Sequence, residues 1–112
     1  MKIEYATTLP EAWLATATVF SALGDPMRQR ILLLFEPGEA VSIKDIVALF
    51  SLSRTAIVHH LNVLEKAGIL AHERKGKETL YSIRPKVVLE AVDALRQYII
   101  EEFPAEIGQE EA

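Results

Sequence analysis

Arg54, Thr55, Val58 and His59 share one side of the helix that the stretch from Ser53 to Ala67 predicts. Arginine offers a fork of donors to a guanine edge, and the Thr and Val methyls match a thymine methyl. A histidine can serve a base or a phosphate. Further on, Arg74, Lys75 and Lys77 surround Gly76 between two alternating stretches. Long basic side chains on such a two-stranded ribbon suit a phosphate backbone or a minor groove. Taken singly, these features read as the solvated face of an amphipathic helix and as a hairpin kept soluble by lysine. Placed side by side, a polar helix and a basic hairpin have the chemistry to read base edges and to hold phosphates of double-stranded DNA.

The surrounding sequence explains how these residues are positioned. On a helical wheel Ile57, Leu61 and Leu64 form the core side of the Ser53–Ala67 helix, opposite Thr55, His59 and Asn62. Ser53 is its N-cap and Gly68 its C′ residue. Ser42 caps a shorter helix before it, IKDIVALF, with Ile43, Ile46, Val47 and Phe50 as its buried stripe. Two short helices separated by a tight Ser51-Leu52-Ser53 break make a helix-turn-helix candidate. Upstream, Pro10 opens a helix EAWLATATVFSAL with Trp13, Ala17, Phe20 and Leu23 along one face. Gly24 ends it, and Asp25-Pro26 caps the next helix, which is expected to run to Phe35. Ile69–Arg74 and Glu78–Ile83 alternate as strands. Pro85 opens a last long helix striped by Val88, Val92, Leu95 and Ile99, and Pro104 ends it. The expectation is a single domain over residues 1–112, mainly α with a small β-hairpin, in the order α-α-α-α-β-β-α. Residues 1–9 and 104–112 are expected as flexible tails.

Composition narrows the function. The net charge of −4 hides a polar distribution. Residues 51–86 carry seven Lys/Arg against three acids, whereas residues 87–112 carry one Arg against seven acids. A basic face on an acidic body is the electrostatic footprint of a nucleic-acid binder. The absence of cysteine excludes disulfides, thiolate metal sites and thiol redox sensing. There is no apolar run of the roughly 20 residues that a membrane span needs, nor a secretory signal pattern, so no membrane partner and a cytoplasmic location are expected. No nucleophile–base constellation, phosphate loop or zinc-protease helix is present, so an enzyme is not expected. His59 and His60 are adjacent and do not share a helical face, which suits them poorly to chelating one ion. His60 points to the edge of the core and is expected to pack between helices.

The segments FSALGDPMRQRILLLF, IKDIVALFSLSRTAIVHHLNVLEKAGIL and ERKGKETLYSI together resemble the ArsR/SmtB family of winged helix-turn-helix repressors. The resemblance covers residues 15 to 100. It implies a homodimer through the first and last helices, which binds an inverted-repeat operator and is released by an effector. Ser53, Arg54, Thr55, Val58 and His59 are then the recognition-helix candidates, with Arg74, Lys75, Lys77 and Lys44 on wing and backbone. Trp13, Phe20, Val92, Leu95 and Ile99 are the dimer-interface candidates. A winged-helix module used for protein docking is the competing reading.

The chain departs from the family at its sensing positions. Those of the arsenic-type site fall on Ser42, Lys44 and Val47, none of them a thiolate. Those of the zinc-type site fall on Pro85, Val87, Tyr98 and Glu101, where only Glu101 can coordinate. The expectation is therefore a member without metal, thiol switch or cofactor. Its signal is left open between a small organic molecule, a partner protein, its own abundance and none. For a small molecule, an apolar crevice between the terminal helices near Trp13, Phe20 and Tyr98 is the candidate place.

Overall fold

The computed structural model describes residues 1–111. The chain forms α1 (Leu14–Leu23), α2 (Pro26–Leu32), β1 (Val41–Ser42), α3 (Ile43–Leu49), α4 (Arg54–Lys66), β2 (Leu70–Lys75), β3 (Glu78–Ile83), α5 (Pro85–Glu102) and α6 (Pro104–Glu111). Short 3-10 turns at Ile3–Ala6 and Glu11–Trp13 precede α1.

The caps fall where the local chemistry puts them. Asp25 accepts from the Met27 and Arg28 amides at the start of α2, Ser42 from Asp45 N at α3, and Ser53 from Ala56 N at α4. Each side chain satisfies an amide that the first helical turn leaves unpaired. Helices α3 and α4 bend by 120° at the Phe50–Ser53 break, a helix-turn-helix angle. Gly68 takes φ 80° just past α4, a left-handed turn that an L side chain resists.

The core is built around α4. Ile57, Leu61 and Leu64 are fully buried together with Ile31 of α2, Ile46 of α3 and Ile69. Each such side chain contributes roughly 1.5–3 kcal/mol of burial. Helix α4 packs on α1, α2, α3 and β2, which fixes the direction of its outer face. The hairpin β2–β3 is antiparallel with Lys75 paired to Glu78, so Gly76 and Lys77 make a two-residue loop, and Gly76 supplies the positive φ of 61° that this tight turn requires.

The observed elements differ from the expected ones at several places. The sheet has three strands in the order β1-β3-β2, with Val41 opposite Tyr81. Two residues are too few to show an alternating pattern, so β1 was invisible in the sequence. Residues 11–13 form a 3-10 turn before α1. The buried side of α1 is Thr16, Val19 and Ala22, small residues that allow close packing, while Trp13, Phe20 and Leu23 are half-buried and Ala17 is exposed. Helix α2 stops at Leu32, and Leu34 and Phe35 follow in tight turns. Neither expected tail is without structure. Ile3–Ala6 forms a 3-10 turn, and Pro104 opens α6 instead of simply ending α5, because proline is as suited to a first helical position as to a stop.

Candidate nucleic-acid interface

Helix α4 presents Arg54, Thr55, His59 and Asn62 to solvent, with Val58 half-buried at the flank. This face is opposite the fully buried Ile57, Leu61 and Leu64. Ser53 sits at the helix start with its hydroxyl oxygen accepting from Ala56 N at 3.1 Å, which leaves the hydroxyl proton free to donate. Local packing thus produces an outward polar surface beginning in the first turn of α4, where a recognition helix meets base edges.

The structure also gathers basic residues that lie far apart in the chain. Lys44 of α3, Arg54 of α4, Arg74 of β2 and Lys77 of the hairpin loop line one crevice of about 250 Å³, together with Ser42 and Thr79. Glu78 is the single acid in that lining. Arg74 Nη1 donates to Thr79 Oγ1 across the hairpin at 3.1 Å, which steadies the guanidinium at the crevice edge. This convergence follows from β1. By pairing with β3 it brings the start of α3 up to the base of the hairpin, and a two-residue strand gives no sequence signal that would reveal this. Lys75 stands apart, paired with Glu73 at 3.3 Å on the exposed strand surface.

The remaining histidines are engaged within the fold. Arg28 Nη1 lies 3.3 Å from His60 Nδ1, so His60 bridges α4 to α2 as its position at the core edge suggested. His72 of β2 pairs with Glu65 of α4 at 2.5 Å, a tie that links recognition helix and wing and that the sequence did not disclose.

A second surface is apolar. Phe20 of α1 and Val92, Leu95, Ile99 and Ile100 of α5 line an open concavity of about 390 Å³. Val92 is 43% exposed and Ile99 40% exposed, high values for aliphatic side chains on one helix face. Four of the five interface candidates therefore share one face. The fifth, Trp13, turns to Tyr98 of the same chain, with ring centroids 5.2 Å apart and planes at 87°. It lines a separate crevice, from which Phe20 is absent.

A capped helix-turn-helix followed by a basic two-stranded wing defines a winged helix-turn-helix, DNA-binding transcriptional regulator. A helix-turn-helix domain model matches residues 23–73. The chain is 35% identical over 81 residues to the transcriptional repressor SdpR of Bacillus subtilis (strain 168), covering 72% of this chain and 89% of that one. It is 32% identical over 83 residues to the arsenic resistance transcriptional regulator ArsR1 of Pseudomonas putida, covering 74% of this chain and 64% of that one. Its fold matches the homodimeric winged helix-turn-helix DNA-binding domain Mb0332 of Mycobacterium bovis, a possible ArsR-family regulator, with a TM-score of 0.62 at 23% identity over 91% of this chain and 88% of that one. The chain belongs to the ArsR family of transcriptional regulators.

Proposed function

We propose that this protein is a homodimeric repressor that occupies an inverted-repeat operator and acts in the cytoplasm without a metal, thiol or other cofactor. The observation that carries the DNA-binding half is the convergence of Lys44, Arg54, Arg74 and Lys77 on one crevice beside the outer face of α4. Cations from α3, α4 and the hairpin surround a space that a backbone phosphate fills, and charge-assisted bonds to phosphate set register on a duplex. Thr55, Val58 and His59 then face the groove and read base edges, while Ser53 donates to a neighbouring phosphate. Arg54 spans both roles, lying in the first turn of α4 and on the crevice wall. Lys75 adds a charge at the wing.

Pairing of two copies is supported by the apolar face of Phe20, Val92, Leu95 and Ile99 on the first and last helices of the domain. The homodimeric state in the name of the Mycobacterium bovis domain agrees with that surface. A two-fold dimer presents two α4 helices to half-sites about one helical turn apart. The domain is read as a single unit over residues 1–112, with α1 packed against α5.

The test is a titration of the purified protein into fluorescent DNA from its own upstream region and into scrambled DNA, at several salt concentrations, with zinc and with a chelator. Selective, steeply salt-dependent binding unaffected by zinc or chelator is expected. Binding that follows zinc would overturn the metal-free reading. Absence of selective binding would favour the protein-docking module.

A further inference from the structure

A second crevice, of about 390 Å³, runs between the N-terminal segment and the C-terminal half of α5. Its walls are the rings of Tyr5, Trp13 and Tyr98 with Leu9 and Leu95, and its polar rim is Lys2 and Glu102. The size and the apolar lining with few polar groups are those of a small-molecule site. Tyr5 is 54% exposed, an aromatic ring left open at the mouth.

Three features set the charge that this crevice prefers. Glu102 closes one end and is the last residue of α5, so its carboxylate adds to the negative end of the helix dipole, with no basic residue in that last turn to offset it. The rings of Tyr5, Trp13 and Tyr98 line the space, and the negative face of an aromatic ring attracts an organic cation. The chain's own cation already occupies the position. Lys2 Nζ lies 2.5 Å from Glu102 Oε1, and its pKa is raised by that hydrogen bond, with further attraction from Glu102, Tyr98 and Tyr5. The Lys2 side chain is 53% exposed, on a long flexible stem, so an incoming cation can displace it.

We propose that this crevice binds a small lipophilic organic cation, held by the rings of Tyr5, Trp13 and Tyr98 and by the Glu102 carboxylate in place of Lys2. Leu95 lines both this crevice and the apolar face of α5, so an occupant bears on the surface through which two copies pair. That regulatory consequence rests on the dimeric repressor reading; the binding site does not.

Trp13 is the only tryptophan, so its emission reports on the crevice directly. The full chain is titrated with benzyltrimethylammonium, with neutral benzyl alcohol and with anionic phenylacetate. A saturable change with the cation is expected, with the other two binding about tenfold more weakly or less. Glu102→Gln should weaken the cation about tenfold and leave benzyl alcohol unchanged, whereas Lys2→Ala should not weaken it. Tyr98→Leu, checked for an unchanged circular-dichroism spectrum, should also weaken the cation. Equal affinity for all three probes would overturn the proposal by reducing the crevice to apolar contact. So would an emission change driven by protein concentration alone, which would mean that a second copy fills it. Operator titration with and without benzyltrimethylammonium separates the two readings: cation binding without DNA binding overturns the regulator, and DNA binding without cation binding overturns the site.

Discussion

Arg28 of α2 reaches His60 of α4, with Nη1 3.3 Å from Nδ1. Because a guanidinium only donates, His60 accepts through Nδ1 and carries its proton on Nε2. The same guanidinium donates from Nε to Ala22 O at 2.6 Å and from Nη2 to Ser21 O at 3.2 Å. One side chain thus ties the end of α1, the start of α2 and the middle of the recognition helix.

Removing that tie takes the side-chain donor from the Ala22 carbonyl and from a half-buried ring nitrogen, while the Ser21 carbonyl keeps the Gly24 amide. Arg28→Ala is expected to cost about 1–3 kcal/mol of stability in urea denaturation. Arg28→Lys should recover only part, since one ammonium cannot span three acceptors. Wild-type stability in both variants would show that the three bonds contribute nothing.

Asp25 accepts from Met27 N at 2.7 Å and Arg28 N at 3.4 Å, and these bonds, that from Met27 foremost, hold its carboxyl below the ordinary value of 3.8. A folded pKa below the unfolded one contributes stability that is complete above 3.8 and is lost as pH falls through the lower folded value. Asp25→Asn keeps a capping oxygen and removes the titration. Melting temperatures followed into acid should therefore fall less steeply for the Asn variant than for the wild type, and parallel acid limbs would remove Asp25 from the account.

Phosphate contacts and base contacts separate by salt. Lys44→Ala, Arg74→Ala and Lys77→Ala should each weaken binding to every duplex and flatten the plot of log affinity against log salt by about 0.9. Thr55→Ala and His59→Ala should change which sequences are preferred with little change in slope. Arg54→Ala is expected to do both, in keeping with its place on the crevice wall and in the first turn of α4. A flattened slope with operator preference intact would make Arg54 a phosphate contact alone.

Charge on the apolar face tests pairing. Val92→Glu and Ile99→Glu alter side chains already open to solvent, so helix content should be retained. Sedimentation should show monomers, with operator affinity reduced roughly 100-fold through loss of the second half-site. A variant still dimeric would place the interface elsewhere.

Gly68 isolates a backbone requirement. At φ 80°, an added Cβ meets Val87 Cγ2 at 3.7 Å, an ordinary contact, so the cost of Gly68→Ala is conformational. Thermal or chemical denaturation should show a loss of about 1–2 kcal/mol.

Much of this protein was legible in its sequence because the relevant physics is local. Ser42, Ser53 and Asp25 cap helices through amides two or three residues away, and the period of Ile57, Leu61 and Leu64 assigned α4 its buried side. The wing needed only two alternating runs around Gly76. Motif order within the domain was enough to suggest the family. Tertiary structure decided what depends on residues distant in sequence. Strand β1 exists only because Val41 and Ser42 find Leu80 and Tyr81, and that pairing carries Lys44 to Arg74 and Lys77. The buried face of α1 is Thr16, Val19 and Ala22 because close helix packing selects small side chains over the larger Trp13 and Phe20. Trp13 packs against Tyr98 and the N-terminal segment, a surface that no local pattern encodes. Periodicity specifies which side of an element is apolar; which neighbour covers that side is a property of the assembled chain.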